Sequence, residues 1–283
     1  MTINVGGGGQ MPDKRGKDLP EMLMALKNFL GCPCHYFAPM DDDTPIVDAY
    51  RKAVERGRRE GFVPVLVAED ETLWECLVMN SDKRKFEPVI PMEEGMKEDY
   101  AYHREEVEQY RQDMLGRPVQ SGKEFLENLL AEYKREAEED GLEWEYEIRG
   151  EIAGGEKNDA LNGYWNFRRG LTCPLVMAEI PVKNPWEIFA YLPFGGWNEC
   201  PDTPELMAVA KYWYECYGAM PVAITHDVLE FMLPVPVGRD NVGALAQEQY
   251  VFCPDVIDQG PHGTVSVFAD ALSKSIIWYF WWD

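Results

Sequence analysis

Positive charge is what this chain has least of. Lysine and arginine together number 27 against 50 aspartates and glutamates, giving a net charge of −23 over 283 residues. Phosphate contacts need clustered cations, so this balance argues against a nucleic-acid binder. Long apolar runs are also missing. The weakly charged stretch from Asn28 to Met40 is too short for a membrane span and is broken by Gly31, Pro33 and Pro39. Paired Cys-x-x-Cys spacings, the usual signature of structural zinc, do not occur, and no metal or cofactor is expected. Cys32-Pro33-Cys34-His35 is one residue short of a haem-attachment spacing. The first residues, MTINVGGGGQMPDKRGK, lack the apolar core of a secretion signal, and seven cysteines is an odd number. Reduced thiols in a cytoplasmic protein are therefore expected. Gly6 to Gly9 have no strand before them and no phosphate-loop lysine after them. Residues 1–17 read as a flexible leader, not a nucleotide cradle.

What the chain does have is acidity spread along its length. Residues 171–283 alone hold 14 acidic and 4 basic side chains. Such a field favours basic partners and repels anionic ones.

Apolar periodicity supplies the elements. Asp18 and Glu21 have capping spacing ahead of a helix striped by Leu19, Met22, Leu23, Leu26, Phe29 and Leu30, which Gly31 stops. A second helix runs from Thr44-Pro45 to Gly61. Phe62 to Val67 and Thr72 to Met79 read as two strands of a β-hairpin. A charged helical insertion at about 97–140 follows, with Tyr100, His103, Val107, Tyr110 and Met114 on one stripe, then Ser121 and Glu124 capping the next helix. Leu142 to Ile148 alternate with acids as a strand would. The Gly- and Asn-rich stretch 150–170 reads as a boundary between an N-terminal lobe (18–150) and a C-terminal domain (171–283).

In that second part, Pro174 to Val182 predicts a buried strand, and Asp202 and Glu205 cap a helix on Leu206, Val209, Ala210, Trp213 and Tyr217. Pro221 to Thr225 and Val228 to Leu233 predict a hairpin turning at His226-Asp227. Helices near 241–251 and 264–272 and a terminal strand, Ile276 to Trp282, complete the chain. The unbroken apolar character of that strand predicts a central position covered on both faces. Gly61, Pro64-Val65 and Asp70 recur as Gly218, Pro221-Val222 and Asp227 at a single offset of 157. The fold expected is α+β, with helices on a mixed, largely antiparallel sheet and two related helix-plus-hairpin units.

The run GGWNECP (Gly195 to Pro201), with AKYWYECYGAMPVAITHDVLEF, EQYVFCPDVIDQG and the terminal WYFWWD, resembles family 4253 of the domains of unknown function over about the last hundred residues. That resemblance implies a bacterial cytosolic domain and supplies no reaction.

Two functions are open at this point. The first is a protein-binding module, immunity-like or regulatory, holding a basic protein partner. The second is a thiol-dependent hydrolase or transferase. There Cys200, just ahead of a helix N-terminus, is the nucleophile, His226 the base, and Asp227 or Asp255 the orienting carboxylate. Either way the surface is expected to involve Trp197, Asn198, Glu199, Glu248, Cys253, Asp255 and Gln259. The competing expectation for Cys200 is a small buried side chain beneath Trp197.

Overall fold

The computed structural model describes residues 20–144, 150 and 154–283. The expected leader and Asp18 cap lie outside these residues, as does most of the alternating run Leu142 to Ile148.

Helix α1 (Glu21–Leu30) buries Met22, Leu23, Leu26, Phe29 and Leu30 and ends at Gly31, whose φ of 65° is the left-handed conformation that glycine adopts without strain. Strand β1 (Cys34–Phe37) leads to α2 (Thr44–Glu60), β2 (Val63–Ala68) and α3 (Glu71–Ser81). The last of these corrects the sequence reading. Thr72 to Met79 form a helix, not a strand, because Asp70 Oδ1 accepts the Leu73 N–H at 3.0 Å and starts it. Leu73, Trp74 and Leu77 then fall on one buried face. The first of the two expected helix-plus-hairpin units is therefore helix, strand, helix.

Helices α4 (Arg104–Gly116) and α5 (Gly122–Glu139) follow, and Ser121 Oγ accepts the Glu124 N–H as expected. A two-stranded ribbon, β3 (Trp165–Asn166) with β4 (Leu171–Thr172), precedes β5 (Leu175–Ile180), α6 (Thr203–Tyr217), β6 (Met220–Ile224) and β7 (Val228–Met232). Helices α7 (Arg239–Phe252), α8 (Asp255–Asp258) and α9 (Val265–Leu272) lead to β8 (Ile277–Trp281).

Six strands form one sheet in the order β1-β5-β2-β6-β7-β8. All neighbours are antiparallel except β2 and β6, which run parallel with Leu66 opposite Ala223 and Val67 opposite Ile224. The fold is α+β. The sheet crosses the stretch 150–170, since β1 and β2 come from before it and the other four strands from after it. Residues 154–170 form a strap laid on the sheet. Glu230 on β7 is fully buried and accepts the N–H of Asn162 at 2.7 Å and of Gly163 at 3.2 Å. Burial raises the Glu230 carboxyl to about 7, and the two backbone donors oppose that shift.

Strand β8 is the outer strand, which corrects the central position expected for it. Its apolar character is explained by what covers one face: Trp278, Phe280 and Trp282 sit in the main core with Trp213, Phe231 and Phe252. Trp213 is the hub. It stacks on Phe280 with centroids 5.4 Å apart and meets Phe231, Phe252 and Trp278 edge-on at 5.0 to 5.7 Å. Replacing it with alanine removes a fully buried ring and the four aromatic contacts it makes. Trp213→Ala is expected to destabilise the fold by about 4 kcal/mol in urea unfolding; a loss under about 1 kcal/mol would mean the cluster is not structurally central.

Candidate functional site

The two glycines at 195 and 196 open a loop that α3 and α6 hold from either side. Asn80 Nδ2 donates to both Pro193 O and Gly195 O at 2.7 Å. A Cβ on Gly195 would stand 2.0 Å from Pro201 O, so only glycine allows the loop to close. A tight turn joins Trp197 to Cys200, with Asn198 at φ 47°. Asp202 and Glu205 then form the capping box of α6.

This loop folds against the segment that follows α7. Asn198, Glu199, Asp255 and Asp258 border a cleft of about 480 Å³, with Glu136 of α5 and Asp283 adding carboxylates and Tyr133 and Trp282 forming walls. Asn198 Nδ2 donates to Asp283 O at 2.7 Å, and the Asp283 N–H donates to Asp255 Oδ2 at 3.0 Å, which ties the three segments together. Gln259 braces Asp255 through a 2.7 Å hydrogen bond. Burial raises the Asp258 carboxyl above its ordinary range, and the Asp255 charge adds to the effect. Tyr133 is also pushed up, first by burial and next by Glu199.

A second constellation lies at the carboxyl ends of β2 and β6. His226 Nδ1 is hydrogen-bonded to Asp70 Oδ2, and Asp227 Oδ1 is 3.6 Å from the same nitrogen. Trp197 lies nearly parallel to the imidazole with centroids 6.5 Å apart. Asp227 is fixed by Thr225 Oγ1 at 2.7 Å and Trp281 Nε1 at 3.0 Å. The hydrogen bond to Asp70 raises the His226 pKa, against the opposing effect of burial. Asp70 moves below the carboxylate range because its bonds to His226 and Leu73 outweigh burial, the largest single influence on it. Asp70 thus has two tasks, capping α3 and holding a proton on His226.

The structure separates the remaining expected site residues. Cys200 is buried, and burial raises its thiol despite the nearby helix N-terminus. No hydrogen bond links it to His226, so the nucleophile-base pair expected from the sequence is not assembled. Cys253 is fully buried, its thiol donates to Trp281 O at 3.0 Å, and burial lifts it to about 12. All seven cysteines are free, so Cys200 and Cys253 form no disulfide. Glu248 stands away from the cleft between α6 and α7, accepting from Tyr212 at 3.0 Å and Trp213 at 3.3 Å. Among the described residues no group of three or more His, Cys, Asp and Glu is arranged to hold a metal ion.

Sequence reasoning missed Glu136 and Asp70. The 157-residue offset carried a signal for the last, because it makes Asp70 the counterpart of Asp227, and both carboxylates lie within 4 Å of His226 Nδ1.

Residues 176–283, from within β5 to two residues past β8, match the family model described as Domain of unknown function (DUF4253). No curated protein and no solved structure matches the chain. Among the described residues no helix is long and apolar enough to cross a membrane.

Two outcomes are expected. In folded protein, Cys200 should react with iodoacetamide far more slowly than the exposed Cys216; mass spectrometry showing equal labelling would overturn the buried assignment. A His whose pKa is raised by folding stabilises the fold below its unfolded pKa, and that contribution is lost as pH rises through the folded value. Thermal melts of His226→Gln should therefore show a deficit of about 1 kcal/mol near pH 6, allowing for solvent screening, that shrinks toward pH 9. A deficit constant with pH would show that the bond to Asp70 carries no charge.

Proposed function

We propose that this chain is a cytoplasmic binding module, immunity-like or regulatory, that holds a basic protein partner at the cleft bordered by Glu136, Glu199, Asp255, Asp258 and Asp283. The observation that carries the reading is the gathering of carboxylates from four separate parts of the chain around one cleft, with Asp258 already resisting ionisation. Like charges held together cost stability, and a lysine or arginine placed among them removes that cost. The overall charge of −23 extends the attraction beyond the cleft and steers a cationic surface toward it. The same field disfavours nucleic acid and anionic lipid.

Affinity purification followed by binding across a salt series tests this. A basic partner whose affinity falls steeply with ionic strength is expected, and a neutral or acidic partner indifferent to salt would end the reading. The paired variant Glu199→Gln/Asp258→Asn should weaken that binding about tenfold or more. Stability gives an independent check. A carboxyl whose pKa is raised by folding favours the fold below its unfolded value and loses that advantage as pH rises. Asp258→Asn should therefore melt higher than the parent at pH 7, with the gain vanishing toward pH 3.

A further inference from the structure

The register of β7 against β8 decides which way each main-chain group of the last strand points. The Leu233 N–H donates to Ile276 O at 2.8 Å and the Trp282 N–H to Asp227 O at 3.1 Å. Between them the pairing runs without a slip from Val228 opposite Trp281 to Met232 opposite Ile277. Bonded and non-bonded pairs alternate in an antiparallel ladder. Trp278 and Phe280 are therefore the residues bonded to β7, and the N–H and C=O of Ile277, Tyr279 and Trp281 point outward from the sheet.

Both ends of this outer edge are closed. The Ile277 N–H donates to Asn158 O at 3.2 Å, and Trp281 O accepts from Cys253 Sγ at 3.0 Å. Between these two stoppers lie the Ile277 C=O, the N–H and C=O of Tyr279 and the Trp281 N–H, none of them paired among the described residues. A cavity of about 420 Å³ opens beside them. Its walls include Trp278 from one face of β8 and Tyr279 and Trp281 from the other, which places it at the strand's edge. Phe268 and His262 form the far side. Asp255 lines both this cavity and the acidic cleft, so the two spaces meet at one carboxylate, and Glu156 adds a second charge to the cavity.

We propose that β8 accepts a short extended segment of a basic partner as an added strand. The segment's backbone pairs with the N–H and C=O of Tyr279, its apolar side chains pack on Trp278 and Phe268, and a lysine or arginine meets Asp255. An extended peptide is the occupant because it alone offers donors and acceptors at the spacing a strand edge presents, while alternate side chains enter the cavity. The occupant's charge rests on the reading of the acidic cleft; the strand edge does not depend on it.

The full chain, titrated with a mixture of blocked pentapeptides carrying lysine at the second and fourth positions and varied elsewhere, provides the test. Hydrogen exchange at the Tyr279 amide should slow on binding. Tyr279→Pro removes the outward donor while leaving the β7 ladder intact, since proline is tolerated where a strand's N–H faces away from its neighbour. It should bind about tenfold more weakly than Tyr279→Val, which keeps the donor. Equal binding by these two variants, no slowing at Tyr279, or no binding overturns the added strand. A dimer of the chain that Tyr279→Pro abolishes would do the same, because the edge would then serve a second copy. A matching glutamate mixture binding as well as the lysine mixture would instead remove the basic partner and leave the edge site standing.

Discussion

Two residue pairs hold the sheet together. Strands β1, β5 and β2 form one antiparallel block and β6, β7 and β8 another, and the blocks meet where Leu66 lies opposite Ala223 and Val67 opposite Ile224. Both pairs are separated by 157 residues, the offset at which Gly61 and Gly218 each end a helix in the left-handed conformation. The junction is short for a chemical reason. Bonding of Glu69 N–H to Pro174 O assigns the odd positions of β2 to β5, leaving the even ones to face β6. Pro64 is an even position without a donor, and β6 has an irregularity between Pro221 and Ala223, so the parallel ladder is confined to these two pairs. This short seam delivers Asp70 to His226.

The acidic composition conceals three different kinds of carboxylate. Asp70 is stabilised in its charged form by an imidazole and a helix start. Glu230 accepts backbone donors from the strap, and burial outweighs them, so its proton is held to about pH 7. Asp258 sits half-buried beside another acid at the cleft, where charge is least welcome. One net charge thus contains a positioning group, a structural clamp and a site with unmet attraction for a cation.

Elements with a strong helical stripe and an end signal were legible from the sequence. The helices at Thr44, Ser121 and Asp202 begin and end close to where Pro, Gly and capping residues predict, because those signals act over a few residues. Thr72 to Met79 misleads because its Thr, Leu, Trp and Val suit a strand, while Asp70, one bond away from nucleating a helix, falls where a hairpin would turn. The terminal strand was legible as a strand but not as an edge, since covering one face with α6 and α7 makes a sequence as apolar as covering both. Of the site, Asn198, Glu199 and Asp255 were legible as surface residues, and the structure brings them to one cleft. The burial of Cys200 was legible as the competing expectation, from the preference of cysteine for the interior; the thiolate expected at the helix start fails because proximity to a helix end is local, while desolvation depends on everything packed above it.

Helix α5 rests on α6 at a point where a side chain has no room. A Cβ on Gly122 would come within 2.2 Å of Ala208 O. Fourteen residues further on, about 21 Å along the axis at the usual helical rise, the same rod carries Glu136 into the cleft. The helix is a lever whose fulcrum is a missing methyl group, so the aim of one acid at the far end is set by a glycine that never touches it.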